Sequence, residues 1–193
     1  EPEKAGALAM VADAGAHWYD LAQHLTGCRI TRVLADLSAF MKTRRVVGRR
    51  PAAYRVRVPD LGMLLCEFDN GARGQFATGA ICAGHKNDLT IEICGAHQSL
   101  RWEQERPNEL WIGHRDQPNQ ALLKDPPLLD ASVRHYAGLP GGHNEAWPDA
   151  FRNLMRNILT FIAEDRDPRE ADEIAFPTFL TGQRIAAIVD AIA

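Results

Sequence analysis

Asp13, His17, Asp20 and His24 follow one another at steps of four, three and four in the run ADAGAHWYDLAQHLTG, residues 12–27. On a helix that advances about 100° per residue they fall within an arc of roughly 60°. A carboxylate one turn before an imidazole can touch it, so Asp13 can orient and charge-stabilise His17 while the other ring nitrogen exchanges a proton with a substrate hydroxyl. Histidine is the residue type that exchanges protons near neutral pH. The same spacing also describes an exposed i,i+4 pair, worth on the order of a few tenths of a kcal/mol. A metal site from Asp13, His17 and His24 lacks the H-E-x-x-H arrangement and sets His24 about two turns from His17.

Other residues with chemical potential are scattered. Lys86 and Asn87, in GHKND, follow a strand-like run and can donate hydrogen bonds to substrate hydroxyls; a plain turn explains them equally well. His143 lies in PGGHNEAW, where a glycine pair meets a helix start that Asn144 could cap. The basic run KTRRVVGRR, Lys42 to Arg50, can meet a phosphate or an acidic partner, or serve as a solvated loop. The four cysteines, Cys28, Cys66, Cys82 and Cys94, form no C-x-x-C pair and read as reduced thiols rather than a zinc set, which suits the cytoplasm. Trp18, Trp102, Trp111 and Trp147 read as core aromatics rather than a stacking platform.

The elements that must carry these residues follow from periodicity. Val11, Ala14, Trp18, Leu21, Ala22 and Leu25 recur at helical steps up to Gly27, and their arc borders the ionisable stripe, which predicts a cleft-edge position for it. From Arg29 to His114 the period becomes two, as in YRVRV, LTIEI and SLRW, and Asn70–Gly71 predicts a tight two-residue hairpin turn. Residues 115–146 are rich in Pro and Gly and are expected to run as a long strap without a regular ladder. Two more helices follow, one with Trp147, Phe151, Leu154, Met155, Ile158, Leu159 and Ile162 on a stripe, the other with Leu180, Ile185, Ile188, Val189 and Ile192. The order predicts an α+β fold: an open, predominantly antiparallel β-sheet with helices on one face. With 193 residues, 46% of them hydrophobic, one domain over 1–193 is expected. A net charge of −3 offers no basic field for nucleic acid or anionic lipid, and no apolar run reaches the roughly 20 residues that cross a membrane.

The segment EKAGALAMVADAGAHWYDLAQHLTG resembles the D-x-x-x-H helix of the glucose-fructose oxidoreductase/inositol dehydrogenase/rhizopine catabolism (Gfo/Idh/MocA) family. The hairpin and strands of LLCEFDNGARGQFATGAICAGHKNDLTIEICGAHQSLRWEQERPNELWIG, and the closing PGGHNEAWPDAFRNLMRNILTFI and FPTFLTGQRIAAIVDAIA, resemble the rest of that family's C-terminal domain. The resemblance implies the substrate and oligomerisation half of an NAD(P)-dependent oxidoreductase, with Asp13 and His17 catalytic and the strap holding His143 near the substrate. The family's N-terminal Rossmann domain is expected to be absent, since no G-x-G-x-x-G occurs between a strand and a helix, and Lys4 is followed by Ala5 rather than Pro.

Two classes of function stay open. One is the substrate domain of an enzyme that uses NAD or NADP and acts on a polyol, sugar or cyclitol. The other is a non-catalytic ligand-binding or oligomerisation module of the same fold. In both, apolar residues at successive positions from Leu61 to Ile93 predict a homo-oligomer through an open sheet face. Because a dinucleotide pyrophosphate needs a glycine turn at a helix N-terminus, calorimetric titration of this chain with NAD or NADP is expected to show no saturable binding. A sub-millimolar constant for either would contradict that expectation.

Overall fold

A computed structural model describes residues 6–45, 53–169, 171 and 174–193. Lys4, Val46, Val47, Gly48, Arg49 and Arg50 lie outside the described residues, so the basic run is seen only as far as Arg45. The contacts group the chain into two compact units, Glu1–His85 with Thr178–Ala193, and Lys86–Pro177.

The first unit begins with α1 (Met10–Thr26), which stops where Gly27 takes φ 69° and donates its N–H to the Gln23 carbonyl at 2.9 Å. This left-handed C-cap is the ending expected of glycine. Then come β1 (Ile30–Ser38), β2 (Thr43–Arg45), β3 (Ala53–Arg55), β4 (Leu61–Phe68) and β5 (Arg73–Gly79). β1, β4 and β5 form an antiparallel sheet in the order β1-β4-β5, and β2 pairs with β3 as a separate ribbon. The turn between β4 and β5 is one residue longer than the expected Asn70–Gly71 pair: Phe68 donates to the Ala72 carbonyl, enclosing three residues, and Gly71 alone takes a positive φ of 86°. A type I turn followed by a left-handed glycine satisfies the strand twist equally well.

Alternation along the strands decides which face is covered. Gly62, Leu64, Cys66 and Phe68 of β4 point to the helices, whereas Met63, Leu65 and Glu67 point away. The final helix, named α3 (Phe179–Ile192), starts at Thr178, whose hydroxyl accepts from Thr181 N–H, and buries Ile185, Ile188 and Ile192. These join Leu8, Val11, Tyr19 and Leu64 in one apolar cluster, with Val33, Leu37 and Phe76 packed against it. Tyr19 is fully buried, its ring edge-on to Phe76 with centroids 5.3 Å apart. Burial, with the Cys66 thiol close by, pushes its phenol up to about 12, so it stays neutral. On the other face of the sheet Leu34, Met63 and Leu65 remain exposed.

The second unit holds β6 (Thr90–Cys94), β7 (Gln98–Glu103), β8 (Glu109–His114) and β9 (Gln120–Leu123) in an antiparallel sheet ordered β6-β7-β8-β9. All pairings among the described residues are antiparallel, as expected, but the hydrogen-bonded ladders form three sheets, and residues 80–89 carry none. β9 corrects the expectation of a ladder-free strap: Glu109 to Ile112 pair with Leu123 to Gln120, because ALL follows the loop and can extend the ladder before Pro126 ends it. Beyond β9 the strap is irregular, with single turns at Pro126–Leu128 and Arg134–Tyr136.

The remaining helix, named α2 (Trp147–Ala163), is held by its polar side. Asn153 donates to the Tyr136 carbonyl, and Asn157 to the Tyr136 hydroxyl and the Ala175 carbonyl. Trp147, Phe151, Met155, Leu159 and Ile162 of its apolar stripe are exposed, Leu154 and Ile158 are half-buried, and Trp147, at 66%, is stacked on Phe151 rather than in a core. Trp111 is also exposed, whereas Trp102 is half-buried and donates to the Pro107 carbonyl at 3.1 Å.

Gly62 marks where α1 meets the sheet most closely on β4: a Cβ there would sit 2.8 Å from both Val11 methyl carbons. Gly62→Ala is expected to cost about 1–3 kcal/mol through overpacking. Met63→Ala, on the uncovered face of the same strand, should shift the midpoint of chemical denaturation far less.

Candidate functional site

α1 buries Val11, Gly15, Tyr19, Ala22 and Gln23. At about 100° per residue these residues centre opposite the arc of Asp13, His17 and His24, and all three of those side chains are exposed. The stripe thus faces away from the sheet, rather than bordering the buried face. The correction has a clear cause. The buried arc is built on Gly15, Tyr19 and Gln23, whereas Leu25, counted among its apolar residues, is left exposed. Gln23 earns its burial by hydrogen bonding, donating to the Tyr19 carbonyl and accepting from Ile30 N–H at 3.1 Å each.

Asp13 and His17 share one helix face a turn apart, yet neither side chain has a hydrogen-bond or ion-pair partner among the described residues. Their free heads can meet a ligand that arrives at that face. Asp20 is half-buried. No cluster of metal-binding side chains occurs among the described residues.

Lys86, Asn87 and His143 lie in the second unit. Lys86 and Asn87 are exposed in a bend where Asn87 takes φ 44°, a conformation asparagine tolerates better than most residues. The Asn87 carbonyl accepts from Leu89 N–H and from the Gln104 amide, which fixes the bend and leaves both side chains outward. His143 is exposed too, its Nδ1 3.4 Å from the Gly141 carbonyl. No hydrogen bond joins it to Lys86 or Asn87 among the described residues. Asn144 does not cap α2; Ala146 is the N-cap, and Asp149 reaches back to accept its N–H at 2.9 Å.

What fixes the strap under His143 is a charged knot that the sequence did not signal. The Lys124 ammonium donates to Glu145 Oε2 at 2.5 Å and to the carbonyls of Leu139 and His143 at 3.0 Å. The other Glu145 oxygen accepts Gly138 N–H at 2.8 Å and lies 3.6 Å from the Arg152 guanidinium. The Asn108 side chain closes the loop by donating to the Glu145 carbonyl and accepting its N–H. Side-chain exposure is only 14% for Lys124 and 8% for Glu145. Burial by itself would push the Glu145 carboxyl up; Lys124 and the N–H groups of Gly138 and Leu139 outweigh it and hold the group below the usual carboxylate range.

A carboxyl that binds its proton less readily when folded adds stability that is complete above about pH 4.5 and is lost as the pH falls further. Glu145→Gln leaves a largely buried ammonium without its charge partner, so a loss of about 3 kcal/mol is expected near neutral pH, together with a flatter decline in acid. Denaturant titrations of both proteins at pH 7 and pH 3.5 check both effects.

The paired strands of the described residues are all antiparallel, and no glycine-rich turn among those residues leads from a strand into the N-terminus of α1, α2 or α3. No helix among them is long and apolar enough to cross a membrane.

Comparison with known proteins gives this geometry a context. An uncharacterized oxidoreductase of Bacillus subtilis, YfiI, is 28% identical over 175 residues, covering 90% of this chain and 41% of its own. An oxidoreductase domain protein from Kribbella flavida superposes with a TM-score of 0.84 at 28% identity, over 100% of this chain and 50% of that one. An inositol dehydrogenase homolog from Azotobacter vinelandii, solved with NAD+, gives 0.84 at 25% identity, over 99% and 47%. The chain thus spans about half the length of the relatives it matches or less. Residues 1–101, with α1, its D-x-x-x-H and both hairpin strands, match the GFO/IDH/MocA C-terminal domain. The chain belongs to that family.

Proposed function

We propose that this chain is the substrate-binding and assembly part of an NAD(P)-dependent oxidoreductase that acts on a hydroxyl or carbonyl of a sugar, polyol or cyclitol. Both compact units together form that part. The dinucleotide is held by a different part of the enzyme, since the residues described here offer no cradle for it. In this reading His17 takes the proton of the substrate hydroxyl as the carbinol carbon is oxidised and returns it in the reverse direction, and Asp13 orients and charge-stabilises the imidazole. Lys86, Asn87 and His143, in the second unit, are side chains there that can donate hydrogen bonds to a substrate hydroxyl.

One observation carries the reading. Asp13 and His17 stand unpartnered, one turn apart, on the outward face of a helix whose opposite face is locked onto a sheet. That D-x-x-x-H lies within the region matched to the GFO/IDH/MocA C-terminal domain. The A. vinelandii homolog with NAD+ supports the cofactor and the substrate class. The exposed Leu34, Met63 and Leu65 support contact between copies through the uncovered sheet face. Four unpaired cysteines suit a reducing cytoplasm.

Proton transfer by a placed side chain contributes about 10²–10⁴-fold. In the enzyme that joins this chain to its nucleotide-binding part, His17→Asn should lower kcat by that range with dinucleotide binding unchanged, and Asp13→Asn should act in the same direction but less. His24→Asn, about two turns away, should have little effect. Near-normal turnover of a competent polyol by His17→Asn would refute the role.

A further inference from the structure

The antiparallel sheet of the second unit has two unlike faces. Residues directly opposite each other in the ladder share a face, as do residues two apart along one strand. One face therefore carries the apolar row Ile91, Trp102, Leu110 and Leu122. The other carries Glu92, Arg101, Trp111 and Ala121 side by side across the four strands, with Glu103 and Glu109 two residues further along β7 and β8. Trp111 is thus a large aromatic side chain set in the charged face rather than the apolar one.

The indole lies down on the sheet because of Gly113. A Cβ on that glycine would sit 2.8 Å from Cζ3 and 3.1 Å from Cζ2 of the Trp111 ring, so a side chain there would lift the ring off. Gly113 is buried beneath it, and Trp111 itself stays 38% exposed. Among the described residues no second ring stacks on it, no guanidinium lies over it, and its indole N–H has no acceptor.

A cleft of about 350 Å³ opens over Trp111 and Ala121, within the range of about 300–1,000 Å³ common for ligand sites. Its rim is made of ion pairs: Arg101 to Glu103 at 2.7 Å and Arg106 to Glu109 at 2.6 Å. Each pair leaves guanidinium donors and carboxylate lone pairs to spare. Glu92, also on the rim, accepts only from the Cys94 thiol at 3.7 Å. An organic cation over the ring would meet two guanidinium groups, and an anion would meet three carboxylates. A neutral ligand with adjacent hydroxyls meets neither penalty, since one hydroxyl can accept from arginine while its neighbour donates to glutamate. The weakly positive C–H groups of a sugar ring suit the negative face of the indole.

We propose that this cleft binds a pyranose, its C–H face on Trp111 and its hydroxyls between the Arg101–Glu103 and Arg106–Glu109 pairs. The site lies wholly in the second unit and does not depend on any role of Asp13 and His17.

The four tryptophans supply the readout. The ¹⁵N-labelled full chain is titrated with methyl β-D-glucopyranoside, methyl α-D-mannopyranoside and methyl β-D-galactopyranoside. At least one is expected to shift the Trp111 indole signal saturably, with a dissociation constant on the order of 1–10 mM for so open a site, and to leave those of Trp18, Trp102 and Trp147 in place. Followed at the Ala121 backbone N–H, Trp111→Ala should weaken that glycoside at least about tenfold, and Trp111→Tyr, which restores a platform, should bring it back within about threefold of the wild type. Ala121→Gln fills the cleft from an exposed position without removing the ring, and should weaken binding with the Trp111 signal still to follow. Unchanged signals from the other tryptophans show that each variant is folded. His17→Asn should leave this binding as it is, which separates its failure from that of the enzymatic reading. The proposal is overturned if none of the three glycosides moves Trp111 up to about 100 mM, if neither Trp111→Ala nor Ala121→Gln weakens binding, or if tetramethylammonium shifts Trp111 at lower concentration than every glycoside, which would mark a cation site.

Discussion

Val11 places both its methyl carbons where a side chain on Gly62 would have to stand, and that contact sets how closely α1 lies on the three-stranded sheet. The rest of the first unit is arranged around it. Tyr19, two turns further along the helix, fills the space over Phe76, and α3 closes the cluster with Ile185, Ile188 and Ile192. Once one face of α1 is committed to the sheet, the opposite face has a fixed direction, and Asp13 and His17 stand on it. Their outward orientation is thus a consequence of packing on the other side of the helix.

The second unit uses a different device for a similar end. The strap after β9 has no long helix or ladder of its own until α2, and apolar side chains there, such as Leu128, Val133 and Leu139, are exposed. A buried Lys124–Glu145 pair does the holding, joined by backbone groups of Gly138, Leu139 and His143, by the Asn108 side chain just before β8 and by the Arg152 guanidinium of α2. Such a pair specifies one arrangement because every misplacement leaves a charge without a partner in a dry site. The position of the His143 backbone follows directly, since its carbonyl is one of the groups that Lys124 holds.

Much of this was legible in the sequence where a period exists to be read. Helical steps located α1 and placed Asp13 and His17 on one face; alternation located the strands and predicted antiparallel pairing. The legibility ended where burial is earned by something other than hydrophobicity. Leu25 looks a better core residue than Gly15 or Gln23, yet Gly15 leaves room for Tyr19 and Gln23 is satisfied by two backbone groups. α2 shows the reverse case, since its two asparagines have specific partners in Tyr136 and Ala175, and most of its apolar stripe is exposed. The Lys124–Glu145 knot was invisible for a simpler reason. Its members are 21 residues apart across an aperiodic segment, and no spacing rule links them.

The central claim is that a substrate hydroxyl meets the outward face of α1 at His17. In the proposed oxidoreductase that contains this chain, the imidazole ¹⁵N resonances of His17 and His24 report that contact directly, each assigned by substitution. The account predicts that a bound polyol or sugar substrate shifts the His17 resonances and leaves those of His24 in place. A saturating substrate that leaves His17 unmoved would contradict it.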